Sequence, residues 1–299
     1  MDRRHFIQNM GLATVASALP GAQLIDSIFH QNSYQMKALR GDLGIFTERG
    51  GTILWKLSDD GIAVVDTQFK PQAEHLIEEI KKKSDRQIDA LINTHHHGDH
   101  SAGNIAFKGL VKNHFAHENC VKNMKATAEK GNNLDKVLLP SAGFGKKFTY
   151  KLAGEKIAMR YFGAAHTNGD AIIHFENANV AHMGDLLFNR RVPYIDKNNG
   201  ADIANWQNVM DDAYKWFDKD TQLVFGHSGA GYEITGTRED LKAFKNYLGK
   251  LLEYVDKGVK AGKSKEELAK TELIPGADEW KGNQGRAVNA AYIEIVDEK

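Results

Sequence analysis

The apolar positions along the chain follow two rhythms. From Leu43, short β-rich runs alternate with polar turns: Gly44–Thr47, Thr52–Leu57 and Ile62–Val65, with Asp59-Asp60-Gly61 joining the last two. An Asp-Gly step between such runs predicts a hairpin. At Pro71 the period changes. Ala73, Leu76, Ile77 and Ile80 fall on one face of a helix that opens on proline and ends in lysines. Gln87–Thr94 is again a mostly apolar run of strand length, and a helix is expected near Glu118–Lys130. After a glycine-rich loop around Ser141–Gly145, strands are expected at Phe148–Leu152, Lys156–Phe162, Ala171–Phe175 and Val180–Met183. A helix at Ile203–Phe217, a short strand at Leu223–Phe225 and a helical stretch over Arg238–Ala269 complete the pattern. In that last stretch Leu241, Phe244, Leu248, Leu251, Leu252 and Val255 form a stripe suited to core packing.

The element order is strands, helix, strand, helix, then strands, helix, strand, helices. No Pro/Gly/Ser-rich linker separates the two halves, so one domain is expected. Sheets with one apolar face must bury it, and helices with one apolar stripe must cover the other. The predicted class is therefore α/β, an αββα sandwich with two central mixed sheets and helices on both outer faces.

Composition narrows the partners. The 299 residues are 41% hydrophobic and 26% charged, which permits a sizeable core. Basic and acidic residues number 39 each, so the chain lacks the charge footprint of a nucleic-acid binder. Cys120 is the single cysteine, which excludes an internal disulfide and fits a buried, inert thiol. At the N-terminus, Arg3-Arg4-His5-Phe6 precedes a mildly apolar stretch, Met10–Leu19, and then small residues at Pro20-Gly21-Ala22. This order is that of a secretory signal, and the paired arginines are similar to the bacterial twin-arginine type. The expectation is a signal over residues 1–22, a mature domain over 23–299, and a periplasmic or secreted location. The apolar stretch is too short for stable membrane insertion.

The candidate chemistry is concentrated at one place. Four of the thirteen histidines fall in Thr94-His95-His96-His97-Gly98-Asp99-His100, at the end of a predicted strand. Neutral imidazoles and carboxylates are a ligand set suited to zinc. An extended backbone points His95 and His97 the same way, and Gly98 can turn the chain so that Asp99 and His100 come from another direction. His96, between them, should point away. Three more strand ends carry ligand-type residues: His166 in Gly163–Asp170, Asp185 in Gly184-Asp185, and His227 in Gly226–Gly229. Open α/β sheets place their sites at such strand ends. His114, His117, His174 and His182 belong to no motif and are read as structural. Asn189-Arg190-Arg191 and Tyr194 could reach a substrate or form a solvated loop.

With these residues in hand, the chain resembles the metallo-β-lactamase superfamily. Its His-x-His-x-Asp-His motif is matched by His95, His97, Asp99 and His100, followed in order by His166, Asp185 and His227. The resemblance implies that His95, His97 and His166 bind one zinc ion. It implies that Asp99, His100 and His227 bind a second and that Asp185 bridges them, with iron or manganese as alternative metals. Asp66 matches the family's early aspartate, which orients ligands from behind. The implied activity is metal-dependent hydrolysis of an ester, lactone, thioester or amide bond in a small-molecule substrate. The nucleophile is hydroxide, because paired ions lower the pKa of a shared water to about 7. Asp99 is the implied catalytic residue, orienting that nucleophile or relaying its proton. A β-lactamase proper is an alternative, although many members of that branch carry Cys or Ser where Asp185 stands. Lactonases acting on acyl-homoserine lactones typically have a Tyr where this chain has Phe188. An iron-dependent oxidoreductase and a non-catalytic metal-binding protein are alternatives of another class. His97 stands where the diiron branch has Glu.

Overall fold

Alternation along the strands decides the architecture. In the computed structural model, which describes residues 34–298, the first sheet runs in chain order. Its strands are Gln35–Ala38 (β1), Leu43–Thr47 (β2), Ile53–Leu57 (β3), Ile62–Val65 (β4), Ile88–Ile92 (β5), Val111–His117 (β6) and Ala142–Phe144 (β7). Strands β1 to β4 pair antiparallel, and β4 to β7 pair parallel. Successive side chains of a strand face opposite ways. Ile45, Leu54, Ala63, Val65 and Ile92 accordingly enter one core, and Phe46, Ile53, Ile62, Val64 and Leu91 enter another.

The second sheet has the order β15-β13-β11-β10-β9-β8. These are Thr235–Gly236 (β15), Gln222–Val224 (β13), Val180–His182 (β11), Ile172–Phe175 (β10), Glu155–Arg160 (β9) and Lys147–Leu152 (β8). A short parallel pair, Phe188–Asn189 (β12) with His227–Ser228 (β14), stands apart from both sheets. Ile157, Met159, Ile173, Phe175, Val180 and Val224 meet the inner residues of the first sheet, forming the seam between sheets. Outside the first sheet lies helix α1 (Lys70–Lys81), burying Ala73, Leu76, Ile77 and Ile80 as its period predicts. Outside the second lie three helices, Ile203–Trp216, Glu239–Lys260 and Gln284–Tyr292, with Trp206, Phe244, Leu248 and Val288 fully buried. The layers are helix, sheet, sheet, helix, as expected.

In chain order the remaining helices are α2 (Gly98–Ser101), α3 (Glu118–Lys130), α4 (Ile203–Trp216), α5 (Glu239–Lys260), α6 (Lys265–Leu268) and α7 (Gln284–Tyr292). The expected single helical stretch over Arg238–Ala269 is two helices. Gly262, at φ 77, leaves the right-handed region, and Ser264 starts α6 with a capping box closed by Glu267. Ser264→Ala should destabilise the protein by about 1 kcal/mol, read as a lowered midpoint in urea. Strand β6 and helix α7 escape the periodic reading. Lys112, Asn113 and His114 interrupt the apolar run of β6, and α7 is rich in alanine and polar residues. The expected signal over residues 1–22 lies outside the described residues. Among the described residues, no helix is long and apolar enough to cross a membrane.

Candidate metal centre

All the expected ligands leave strands near the seam between sheets. His95 and His97 follow β5. Asp99 and His100 ride on α2, His166 lies in the loop after β9, Asp185 in a tight turn after β11, and His227 opens β14 just beyond β13. His97 is extended (φ −63, ψ 147), so its ring falls on the same side as that of His95, 4.9 Å away between centroids. The chain then turns into α2 and brings the His100 ring to 4.3 Å from His95. Close approach demands glycine at two positions. A Cβ on Gly51 would overlap the His100 ring, and one on Gly226 would overlap Asp185 Oδ1.

The expected ligands converge in two groups, His95, His97, His166 and Asp185, and Asp99, His100 and His227, while His96 and Asp196 form a third group around His97. Asp185 faces both of the first two groups. Its Oδ2 lies 3.4 Å from His166 Nε2 and 3.8 Å from His95 Nε2. Its Oδ1 lies 3.0 Å from His100 Nε2 and 3.4 Å from His227 Nε2. Asp99 Oδ2 stands 3.1 Å from His227 Nε2.

The outward ring nitrogens settle the tautomers. His166 Nδ1 donates to the Tyr194 carbonyl (2.7 Å), His97 Nε2 to Asp196 (2.8 Å) and His100 Nδ1 to Asp66 (2.8 Å). The Thr94 hydroxyl donates to Asp66 Oδ2 (2.7 Å) and so can accept from His95 Nδ1 at 3.0 Å. His95, His97 and His166 therefore turn a bare lone pair inward, and a neutral His100 would do the same, the arrangement that metal-ligating histidines adopt. The inward nitrogens crowd together: His97 Nδ1 and His166 Nε2 are 2.9 Å apart, and His100 Nε2 and His227 Nε2 are 3.3 Å apart. His95 Nε2 and Asp185 Oδ1 are buried without a hydrogen-bond partner. Such an arrangement is repulsive on its own and fits cations held between the donors.

Protonation agrees with this. Burial pushes His95 well below its ordinary value and His166 down to about 3, keeping both neutral. Burial would raise the Asp185 carboxyl, but His227, His100 and His95 around it hold it well below the usual carboxylate range. His100 is the exception. Burial alone would lower it, yet Asp185 and Asp66 hold it well above its ordinary value. Two carboxylates there call for positive charge, which a cation supplies as well as a proton.

The sequence comparison now becomes decisive, because residues 52–247 match the profile described as the metallo-beta-lactamase superfamily. The chain belongs to the metallo-β-lactamase superfamily. Solved structures share the fold. The sec-alkylsulfatase Pisa1 from Pseudomonas sp. is 14% identical, with a TM-score of 0.64 over 84% of this chain and 49% of that one. The metallo-beta-lactamase IND-7 is 20% identical, with a TM-score of 0.58 over 72% of this chain and 99% of that one. A metallo-beta-lactamase from Hirschia baltica is 17% identical, with a TM-score of 0.59 over 73% and 98%. This chain spans about half the length of the sec-alkylsulfatases it resembles. No curated protein sequence matches it.

Around the metallo-β-lactamase motif, the structure adds residues that the sequence did not single out. Asp196 fixes His97 and also accepts from Asn199 Nδ2 (2.7 Å). No spacing rule marks it, since it lies ninety-nine residues along the chain from its partner. Asp196→Ala should loosen the first donor group and lower its metal affinity by about 10- to 100-fold, measured by chelator competition. His96 packs with Nε2 3.7 Å from Asp196 and its ring 4.5 Å from that of His97, on the Asp196 side of that ring. His182 bonds the Thr52 carbonyl, His114 bonds Asn93, His117 caps α3, and His174 packs on Trp216 and Phe217. All four occupy structural positions. Cys120 is fully buried, and burial pushes its thiol well above the ordinary value. The two arginines of the Asn189–Arg191 segment part company. Arg190 pairs with Glu279 (3.0 Å) and stacks on Trp280, while Arg191 lines the cleft beside the donor groups.

Proposed function

We propose that this protein is a hydrolase with a dinuclear zinc centre, acting on an ester, lactone, thioester or amide bond of a small molecule. The observation that carries the reading is Asp185, whose two oxygens each face a different group of inward lone pairs. His95 Nε2, His97 Nδ1 and His166 Nε2 would hold one ion, and Asp99, His100 Nε2 and His227 Nε2 the other, with Asp185 shared. Three imidazoles with carboxylate oxygen suit zinc. When bound, such ions supply Lewis-acid polarisation and an acidified water.

The chain's own residues do the rest. Asp66 holds Thr94 and His100 in place, and Asp196 holds His97. Both donor-group carboxylates line the cleft, Asp185 with its side chain 4% exposed and Asp99 the more open at 34%. Burial would raise its pKa, but His227 and His100 lower it overall, so it is ionised at neutral pH. It can take a proton at the cleft and return it to the departing group. Phe188 and Val192 give the cleft an apolar wall.

Elemental analysis with hydrolysis profiling tests the reading. The expected result is two zinc ions per chain and turnover of at least one class among β-lactams, lactones, thioesters and phosphodiesters. Redox-active iron with no hydrolysis would overturn it. Removing the ions with a chelator should also lower the thermal midpoint, since a ligand that binds only the folded state stabilises it by mass action. For the leader, N-terminal sequencing of periplasmic protein should begin near Gln23; an intact Met1 on a soluble cytosolic pool would remove that part of the proposal.

A further inference from the structure

The cleft over the donor groups has a volume of about 370 Å³, and Arg191 and Arg286 both line it. Arginine guanidinium is always charged and offers a planar fork matched to an oxyanion. Elsewhere the chain satisfies such groups: adjacent Arg190 has Glu279 at 3.0 Å and Asp240 at 3.5 Å. Neither Arg191 nor Arg286 is paired with any carboxylate among the described residues. Both are exposed, and the segment of Arg191 is bonded to Lys281, just ahead of the helix that carries Arg286. Val192 N donates to the Lys281 carbonyl (3.0 Å) and Lys281 N to the Arg190 carbonyl (3.2 Å). Asn283 caps α7 by accepting from the Arg286 backbone N–H (3.0 Å), and the Arg286 guanidinium lies 4.8 Å over the Tyr194 ring. Tyr194 in turn packs against His97, 5.3 Å between ring centroids. Arg286 is thus placed beside the donor groups by an aromatic ring, which leaves its N–H groups free for a ligand. Arg191 also lines a second hollow that shares His227 but carries Glu48 and Glu233, so the anion is assigned to the cleft that Arg191 shares with Arg286.

We infer that Arg191 and Arg286 form an oxyanion-binding pair and that the substrate of this site carries an anionic carboxylate or sulfate group. The inference rests on the hydrolase reading for the reaction, but not for the binding. The charged group docks on the two guanidiniums while the bond to be broken lies against Asp99 and His227.

The test uses the zinc-loaded mature chain and the variants Arg191→Gln, Arg286→Gln and Arg286→Lys, with zinc content and circular dichroism checked for each. Glutarate is titrated calorimetrically as the probe anion. The two glutamine variants should each bind it about tenfold more weakly, and the lysine variant should fall between. In turnover, KM for p-nitrophenyl hemiglutarate should rise about tenfold in the glutamine variants, and by clearly more than KM for the neutral ester p-nitrophenyl acetate. Turnover of p-nitrophenyl sulfate, with kcat falling in the variants, would identify the recognised anion as the reacting group itself. Equal glutarate affinity in wild type and variants overturns the pair, as does an equal loss for charged and neutral esters; the hydrolase reading then survives. Arginine-dependent glutarate binding with no ester turned over leaves the pair standing and removes the hydrolase reading.

Discussion

Asp185→Asn is expected to cost the proposed centre both ions rather than one. The substitution keeps the size and shape of the side chain, so the fold should be retained and circular dichroism unchanged. The chemistry changes at two points at once. One amide position becomes a donor facing a ring nitrogen that must keep its lone pair, and the remaining carbonyl oxygen carries no net charge. Since Oδ1 faces His100 and His227 and Oδ2 faces His95 and His166, no orientation of the amide serves both groups. Losing an outer partner of a ligand typically costs 10- to 100-fold in affinity or activity, so losing a shared ligand should cost more than about a hundredfold. Elemental analysis after dialysis reads the outcome directly. Two zinc ions per chain at undiminished affinity would show that Asp185 is not the shared ligand.

Most of the residues that converge here carry a local mark in the sequence: His95, His97, Asp99 and His100 lie in one dense run, and Asp185 and His227 each follow a glycine, while His166 sits in a loop beyond β9 with no adjacent glycine. Local spacing carries that information. What spacing cannot carry is who stands behind the ligands. Asp196 and Arg286 reach the site through tertiary packing alone, from a loop and a C-terminal helix with no motif of their own. The layers of the fold were legible for a related reason, since two-period strands and a 3.6-period helix announce which faces need cover. Strand β6 was not, because its Asn113 and His114 bond to Asp89, Asn93 and Tyr150 and so serve neighbouring strands instead of an apolar face. The break between α5 and α6 was missed because the apolar stripe counts residues and not the left-handed Gly262 that ends it.

Asp66→Asn should act on the second donor group from behind. The wild-type carboxylate accepts three times: from Thr94 N (2.8 Å), from the Thr94 hydroxyl (2.7 Å) and from His100 Nδ1 (2.8 Å). All three partners donate, and Asp66 itself sits at φ 63, a conformation that Asp and Asn tolerate better than most residues. The amide variant therefore keeps the backbone but presents N–H groups to at least one of those donors. His100 can escape by moving its proton to Nε2, and an Nε2–H no longer offers a lone pair inward. Metal affinity at Asp99, His100 and His227 should fall about 10- to 100-fold, with the first group less affected. Stepwise zinc titration would separate the two groups. A uniform loss, or none, would mean that Asp66 does not select the His100 tautomer. Because the charged acceptor is fully buried, a lowered thermal midpoint of the metal-free variant should accompany the change.

The two donor groups also draw on both sheets. His95, His97, Asp99 and His100 come from the end of β5, while His166, Asp185 and His227 follow β9, β11 and β13. Any ion held there would be a cross-link between sequence-distant halves, closing loops of chain as a disulfide does in proteins that have cysteines to use. This chain has one buried thiol and no such bond. Its halves would be sewn together by coordination, and hydrogen exchange at the mouth of the seam, around Thr94 and Gly184, should quicken first when the metal is withdrawn.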